Sequence, residues 1–322
     1  MRKSPVIVRL LFAACVGLPA LATAQTATLY GGIMERRDAR GERTHSVAIE
    51  YREPIDERFG FGLLYLNEGH PDSHHRDGLA GQLWLHTPRL PLGLRLGAGA
   101  GPYYFFDTVD TGHGYANEHG WGMVYSLLAS VPLGARWSAQ VRWNRVDARG
   151  PFDTHTLMLG VGYTFVPRER GGAALRATPH RHEVTLLAGR TILNSFASER
   201  ATALSVEYRR TAATYADWTL TLLNEGEPQH IDRRGIAAQA WLARSVNDDR
   251  ARFGLGLGPY FAIDRRHADL TGESDRRVAA LVSASLRYRL TSNWHVRATW
   301  HRVLADYHRD TDVLLVGAGY TF

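Results

Sequence analysis

The chain has 322 residues, 44% hydrophobic and 22% charged, which excludes a disordered chain and a collagen-like fibre. Its formal charge of +6 falls to +3 when Arg2, Lys3 and Arg9 are set aside, leaving 35 basic residues against 32 acidic ones. The two signs alternate without forming a basic stripe, so no nucleic-acid partner is expected. The single cysteine, Cys15, lies in the same N-terminal segment, which excludes disulfide frameworks, thiolate zinc sites and cysteine nucleophiles beyond it.

Residues 1–24 read as a secretory signal peptide. Arg2 and Lys3 form the basic start, Val6 to Leu21 the apolar core, and Ala22-Thr23-Ala24 the small residues before a cut at Gln25. Phe12-Ala-Ala-Cys15 has a weak likeness to a lipoprotein box, but the apolar run before it is short. Export from a bacterial cytoplasm is therefore expected. Nothing beyond this segment approaches the roughly 20 apolar residues of a membrane-spanning helix.

From residue 25 onward the pattern has period 2, broken by turn residues. It predicts strands near 27–36, 45–52, 59–69, 78–87, 93–106, 122–132, 137–147 and 154–165. The alternation sorts residues by face. Val47, Ile49 and Tyr51 oppose Ala48, Glu50 and Arg52; Ala139, Val141 and Trp143 oppose Gln140, Arg142 and Asn144; Leu157, Leu159 and Val161 oppose Met158, Gly160 and Gly162. Segments 166–182, rich in Arg, Gly and Pro, then read as a linker.

Residues 183–322 repeat the first copy. A shift of 157 residues aligns the halves without a gap: Leu66-Asn-Glu-Gly69 falls on Leu223-Asn-Glu-Gly226, Gly101-Pro102-Tyr103 on Gly258-Pro259-Tyr260, and Gly162-Tyr-Thr-Phe165 on Gly319-Tyr-Thr-Phe322. Trp143, Arg145 and Val146 likewise fall on Trp300, Arg302 and Val303. Each copy thus carries eight strands of about ten residues, the length a tilted strand needs to cross a bilayer.

Alternation alone fits a soluble sandwich as well as a membrane barrel, since only the solvent of each face differs. Aromatics at strand ends (Tyr51, Tyr65, Tyr163, Phe165) and short connections alternating with expected long loops at 69–77 and 107–120 favour the barrel. The final strand, with Leu314, Val316, Ala318, Tyr320 and Phe322 on one face, resembles the assembly signal of Gram-negative outer-membrane β-barrel proteins. No characterised subfamily is recognised. The resemblance implies an all-β transmembrane fold in the cell outer membrane, with termini and short turns periplasmic. It also implies outer-membrane lipids and lipopolysaccharide as partners, and the outer-membrane assembly machinery, engaged through the strand ending at Phe322.

Two tandem eight-stranded barrels, 25–165 and 183–322, are favoured over one sixteen-stranded barrel. Gly97, Gly99 and Gly101 leave room for inward Trp84 and Tyr103, and each copy holds its own inward pair, Glu50 with Arg142 and Glu207 with Arg297. A structural or interaction role follows. The alternatives are a sixteen-stranded porin-like channel for small solutes and a lipid A acyl hydrolase. No catalytic, metal or cofactor residues are assigned. His70, His74 and His75 could ligate a metal, but their repeat equivalents are Glu227, Ile231 and Asp232, so a loop-shaping Asn-Glu-Gly motif explains the cluster better. His155, His295 and His301 lack an adjacent serine. Ser138 and His295 hold equivalent places in different copies, and His113, Glu118 and His119 read as a solvated loop. Trp143-Asn-Arg145 and Trp300-His-Arg302 are expected to anchor the barrel at the lipid headgroups.

Overall fold

A computed structural model describes residues 25–38, 41–148, 150, 152–165, 181–246, 249–266 and 274–322. The expected signal peptide and all but the last two residues of the expected linker lie outside them. Among the described residues, the first half forms β1 (Gln25–Arg36), β2 (Arg43–Pro54), β3 (Phe59–Asn67), β4 (His74–His86), β5 (Arg95–Asp110), β6 (Tyr115–Pro132), β7 (Trp137–Asp147) and β8 (Thr154–Phe165). The second half forms β9 (His182–Leu193), β10 (Arg200–Ala213), β11 (Ala216–Gly226), β12 (Ile231–Val246), β13 (Ala251–Arg266), β14 (Ser274–Arg289), β15 (Trp294–Leu304) and β16 (Thr311–Thr321).

Within each half every strand pairs antiparallel with its sequence neighbours, and each half closes on itself. β1 pairs with β8 from Gln25↔Phe165 to Arg36↔Thr154, and β9 with β16 from Leu193↔Thr311 to Glu183↔Thr321. Because β8 returns to β1 and β9 to β16, the protein is two closed eight-stranded barrels, and the single sixteen-stranded sheet is ruled out.

The polarity of each barrel is inverted relative to a water-soluble fold. Leu29, Ile49, Leu127, Leu159 and Val161 lie exposed outside, as do Leu186, Leu222 and Val316 in the second barrel. Glu50, Arg76, Gln82, Arg142, Glu207 and Arg297 are buried inside. An apolar exterior of this extent has no reason to persist in water, where its exposure is costly, and every reason to in lipid. The closed sheets in turn leave no unpaired strand edge, the other requirement of a hydrocarbon environment. Each core also holds an apolar cluster, around Tyr30, Leu64, Tyr103 and Met158 in one barrel and Leu187, Leu223, Tyr260 and Leu281 in the other. Gly99 and Gly256 allow this filling: a Cβ there would lie 2.7 Å from the Trp84 ring and 2.5 Å from the Trp241 ring.

The expected long loops are the main correction. Residues 107–120 form the end of a hairpin in which β5 and β6 stay paired out to Asp110↔Tyr115. β4 likewise begins at His74, leaving only a short connection after β3. Polar side chains such as Asp107, Thr108 and Asn117 hid the strand from a hydrophobic-alternation reading. They face other protein groups here, and their hydrogen-bonding replaces the apolar signal.

Candidate functional site

The polar interiors and the contact between the barrels carry the protein's distinctive chemistry. In the middle layer of the first barrel, Arg142 on β7 lies 2.9 Å from Glu50 on β2, while Arg52 holds the other carboxylate oxygen. Arg142 also donates to Asn144 at 2.6 Å, to Gln82 at 2.5 Å and to Ser126 at 3.0 Å. The Tyr30 hydroxyl donates to Gln140 Oε1 at 2.6 Å and lies 3.1 Å from Glu50. Charges taken out of water persist only when paired and hydrogen-bonded in this way.

The second barrel solves the same problem with a displaced cation. Glu207 is the repeat equivalent of Glu50, but the equivalent of Arg142 is Thr299. The arginine sits two residues earlier, at Arg297, where the first barrel has Gln140. Arg297 pairs with Glu207 and with Glu183, and Glu183 in turn pairs with Arg287. Leu187 stands where Tyr30 does, so no phenol competes for that space. A two-residue step along a strand keeps a side chain on the same face, so both arginines point inward.

The repeated Asn-Glu-Gly motif builds a second layer nearer the end opposite the termini. The Asn67 side-chain oxygen accepts from the Gly69 N–H at 2.8 Å, and Asn224 from Gly226 at 2.9 Å. Both glycines have positive φ, 82° and 72°, which bulkier residues resist. The glutamate between them turns into the core. Glu68 takes a bidentate contact from Arg76 at 2.7 and 3.1 Å and a hydrogen bond from Tyr103 at 3.0 Å. Glu225 lies 3.6 Å from Arg233, which bonds Asp264 at 2.9 Å. The motif is thus a turn fused to a buried ion pair. The histidines beside it divide: His70 and His75 stack at 3.9 Å between ring centroids, while His74 bonds Asp107 at 2.9 Å. No group of three or more metal-ligating side chains occurs among the described residues.

One serine–histidine pair escaped the sequence reading because the two residues meet across strands. Ser283 Oγ and His301 Nδ1 lie 2.6 Å apart, both fully buried in the second barrel. In the first barrel the equivalents are Ser126 and Asn144, with Ser126 donating to Asn144 at 2.7 Å. Asparagine performing the same bond identifies this as core packing, and the pair faces the barrel interior, away from its apolar outer wall. Ser138 bonds Gln140 at 3.1 Å and His295 contacts Thr185 at 3.2 Å, each within its own barrel.

The two Trp-x-Arg doublets part company. Trp143 stays on a free wall, edge-on to His155 at 5.2 Å. Trp300 and Arg302 instead join the barrels, and the expectation of a lipid anchor fails for them. Arg302 is buried, 2.9 Å from Asp77 of the first barrel and 2.7 Å from Asp312 of the second, with its guanidinium 4.7 Å from the Phe106 ring centre. Trp300 meets Tyr65 edge-on at 5.9 Å. The β5–β6 hairpin completes this seam: His119 reaches Asp310 at 2.5 Å, and Asn117 donates to the Asn194 carbonyl at 2.8 Å. Near the termini, Arg244 bonds Glu53 at 2.9 Å and Phe253 meets Phe165 at 5.9 Å. Burial by the other barrel, which no single-copy pattern reveals, is why Asp77 sits on an outward position yet is shielded.

Neither a scan of protein-family models nor a search of curated proteins finds a match. Among solved structures, the chain is similar to the N-terminal β-barrel domain of Pseudomonas aeruginosa OprF, at 11% identity and TM-score 0.37, over 44% of this chain and 97% of that one. It is similar to Neisserial surface protein A at 14% identity and TM-score 0.37, over 43% and 96% of the two chains. It is also similar to Ail of Yersinia pestis at 10% identity and TM-score 0.36, over 45% and 100%. These structural neighbours are outer-membrane β-barrel proteins, and no characterised subfamily is identified among them.

Proposed function

We propose that this chain is an integral protein of the Gram-negative outer membrane, exported by residues 1–24 and inserted as a fused pair of barrels. Its role is structural or interaction-related: the two barrels form a rigid membrane base that presents the connections opposite the termini to the exterior. The observation that carries this reading is the inverted polarity, with leucine, isoleucine and valine outside and paired Glu–Arg layers inside. The filled interiors argue against a solute channel, because Arg142, Glu50, Tyr30, Gln82 and Trp84 are buried inside one barrel and Arg297, Glu207, Glu183 and Trp241 inside the other. The Ser283–His301 pair lies inside the second barrel and does not face its outer wall, which gives an acyl hydrolase reading no support.

Reconstitution tests this directly. The purified chain is expected to insert into phospholipid vesicles, to migrate as a compact species on gels until boiled, and to give no stable nanosiemens-scale steps in planar bilayers. Sustained steps of that size would overturn the filled-barrel reading. Mature protein from the outer-membrane fraction is expected to begin at Gln25, and deletion of Phe322 to lower its yield there.

A further inference from the structure

The seam uses one rung of the first barrel: Asp77 on β4, Phe106 on β5 and His119 on β6, neighbours in the register. Asp77 and Phe106 hold Arg302, and His119 holds Asp310. Duplication places the same rung on the second barrel, where its residues are Arg234, Ile263 and Arg276, again neighbours across β12, β13 and β14. There the rung is uncovered. Arg234 is 60% exposed at its side chain and Arg276 is exposed.

Two features of this surface specify its occupant. The carboxylate and the imidazole of the first barrel have both become arginine, so the rung now seeks an anion. Asp232 holds Arg234 through Nε at 3.0 Å and Nη2 at 2.7 Å, which fixes the guanidinium and leaves Nη1 outside that pair to meet an anion. The strand spacing sets the Arg234 and Arg276 backbones about 10 Å apart, close enough for two long side chains to converge on one phosphate. Immediately below, the next rung toward the termini is Ile236, Phe261 and Val278, exposed and wholly apolar. Beside it runs a groove of about 560 Å³ lined by Leu186, Leu204, Val206, Leu222, Ile236 and Ile263.

A third barrel stacked in the same head-to-tail manner would bring Arg145, the equivalent of Arg302, against Arg234. The same stacking would set Asp153, the equivalent of Asp310, against Arg276, so one contact repels and the other attracts, and this rung gives a second copy no net electrostatic advantage. We infer that this wall is a lipid site: Arg234 and Arg276 bind the phosphate of an acylated, phosphorylated glycolipid of the outer leaflet, and the groove takes one of its acyl chains. The inference rests on the outer-membrane reading above, which places this end of the barrel in the outer leaflet.

The test is native mass spectrometry of the full chain, titrated in detergent with diphosphorylated lipid A and with its dephosphorylated counterpart. The expected result is a one-lipid adduct with the phosphorylated form. Its apparent affinity should fall about tenfold in the Arg234→Gln/Arg276→Gln double variant and change less than twofold in Arg43→Gln, an exposed arginine at the same end of the first barrel. Equal binding by the double variant, or by the dephosphorylated lipid, would overturn the assignment. A concentration-dependent dimer that the double variant abolishes, without a lipid adduct, would also overturn it and make a second copy the occupant. Vesicle insertion is scored in parallel: a chain that inserts but retains no lipid refutes only this site, whereas one that does not insert refutes the membrane reading itself.

Discussion

Replacing Arg142 by Thr, the residue at its repeat equivalent, isolates the energetic logic of the interior. Arg142 is fully buried and contacts Glu50, Asn144, Gln82 and Ser126. Its loss leaves Glu50, itself buried, with Arg52 as its remaining cation. Breaking a buried ion pair costs about 3–5 kcal/mol, and the surviving Arg52 contact places this change near about 3 kcal/mol. That is a shift of about 150-fold in the folding equilibrium. Adding Gln140→Arg and Tyr30→Leu installs the Glu207–Arg297 part of the second barrel's solution, with the guanidinium two residues away and no phenol in its path, while Thr26 remains where the second barrel has Glu183. The triple variant should recover about 2 kcal/mol. Urea titration of vesicle-inserted protein, reading the compact and unfolded gel species, measures both changes. A cost below about 1 kcal/mol for Arg142→Thr, or no recovery in the triple variant, would falsify the claim that the two cores are interchangeable answers to one burial problem.

Gly99→Ala drives a methyl to 2.7 Å from the Trp84 ring and should destabilise the first barrel by about 1–3 kcal/mol in the same titration; a neutral result would mean the ring can move aside. The seam should appear as coupling between barrels: Asp77→Asn and Arg302→Gln are expected to be non-additive by about 1–2 kcal/mol, and additivity would place them out of contact. At the β12–β13 turn, burial raises the Asp249 carboxyl, but a 2.7 Å hydrogen bond from Ser245 and the Arg287 and Arg181 guanidiniums outweigh it and hold the group below its ordinary range. A carboxyl lowered on folding contributes in full above its unfolded value, about pH 4, and loses that contribution as pH falls through the lower folded value. Unfolding midpoints should therefore drop below pH 4 in the wild type and drop less in Asp249→Asn.

The strand order was legible because apolar side chains outside and polar groups inside impose a clean period of 2, as in Leu157 to Val161 against Met158 to Gly162. The pairs Glu50–Arg142 and Glu207–Arg297 were legible for the same reason, since charges on an inward face must find each other. The outer half of the β5–β6 hairpin was not, because Asn117 and His119 are covered by the second barrel and carry no apolar signature. Arg302 misled for a related reason: a Trp-x-Arg doublet looks the same whether lipid or protein lies beyond it. The Ser283–His301 contact joins residues on neighbouring strands, so only the register reveals it.

Closure of each half on itself also bears on how the chain folds. The most distant pairing in either barrel joins that barrel's own first and last strands, Gln25 with Phe165 and Glu183 with Thr321, so the first ring can close without the second half of the chain. Loop-closure entropy grows with chain length, and topologies with shorter sequence separation form faster. The first barrel ends in the same Gly-Tyr-Thr-Phe sequence as the second. Its sealing strand lies wholly before the second half in the chain, so a closed first ring can act as the template against which Trp300 and Arg302 dock.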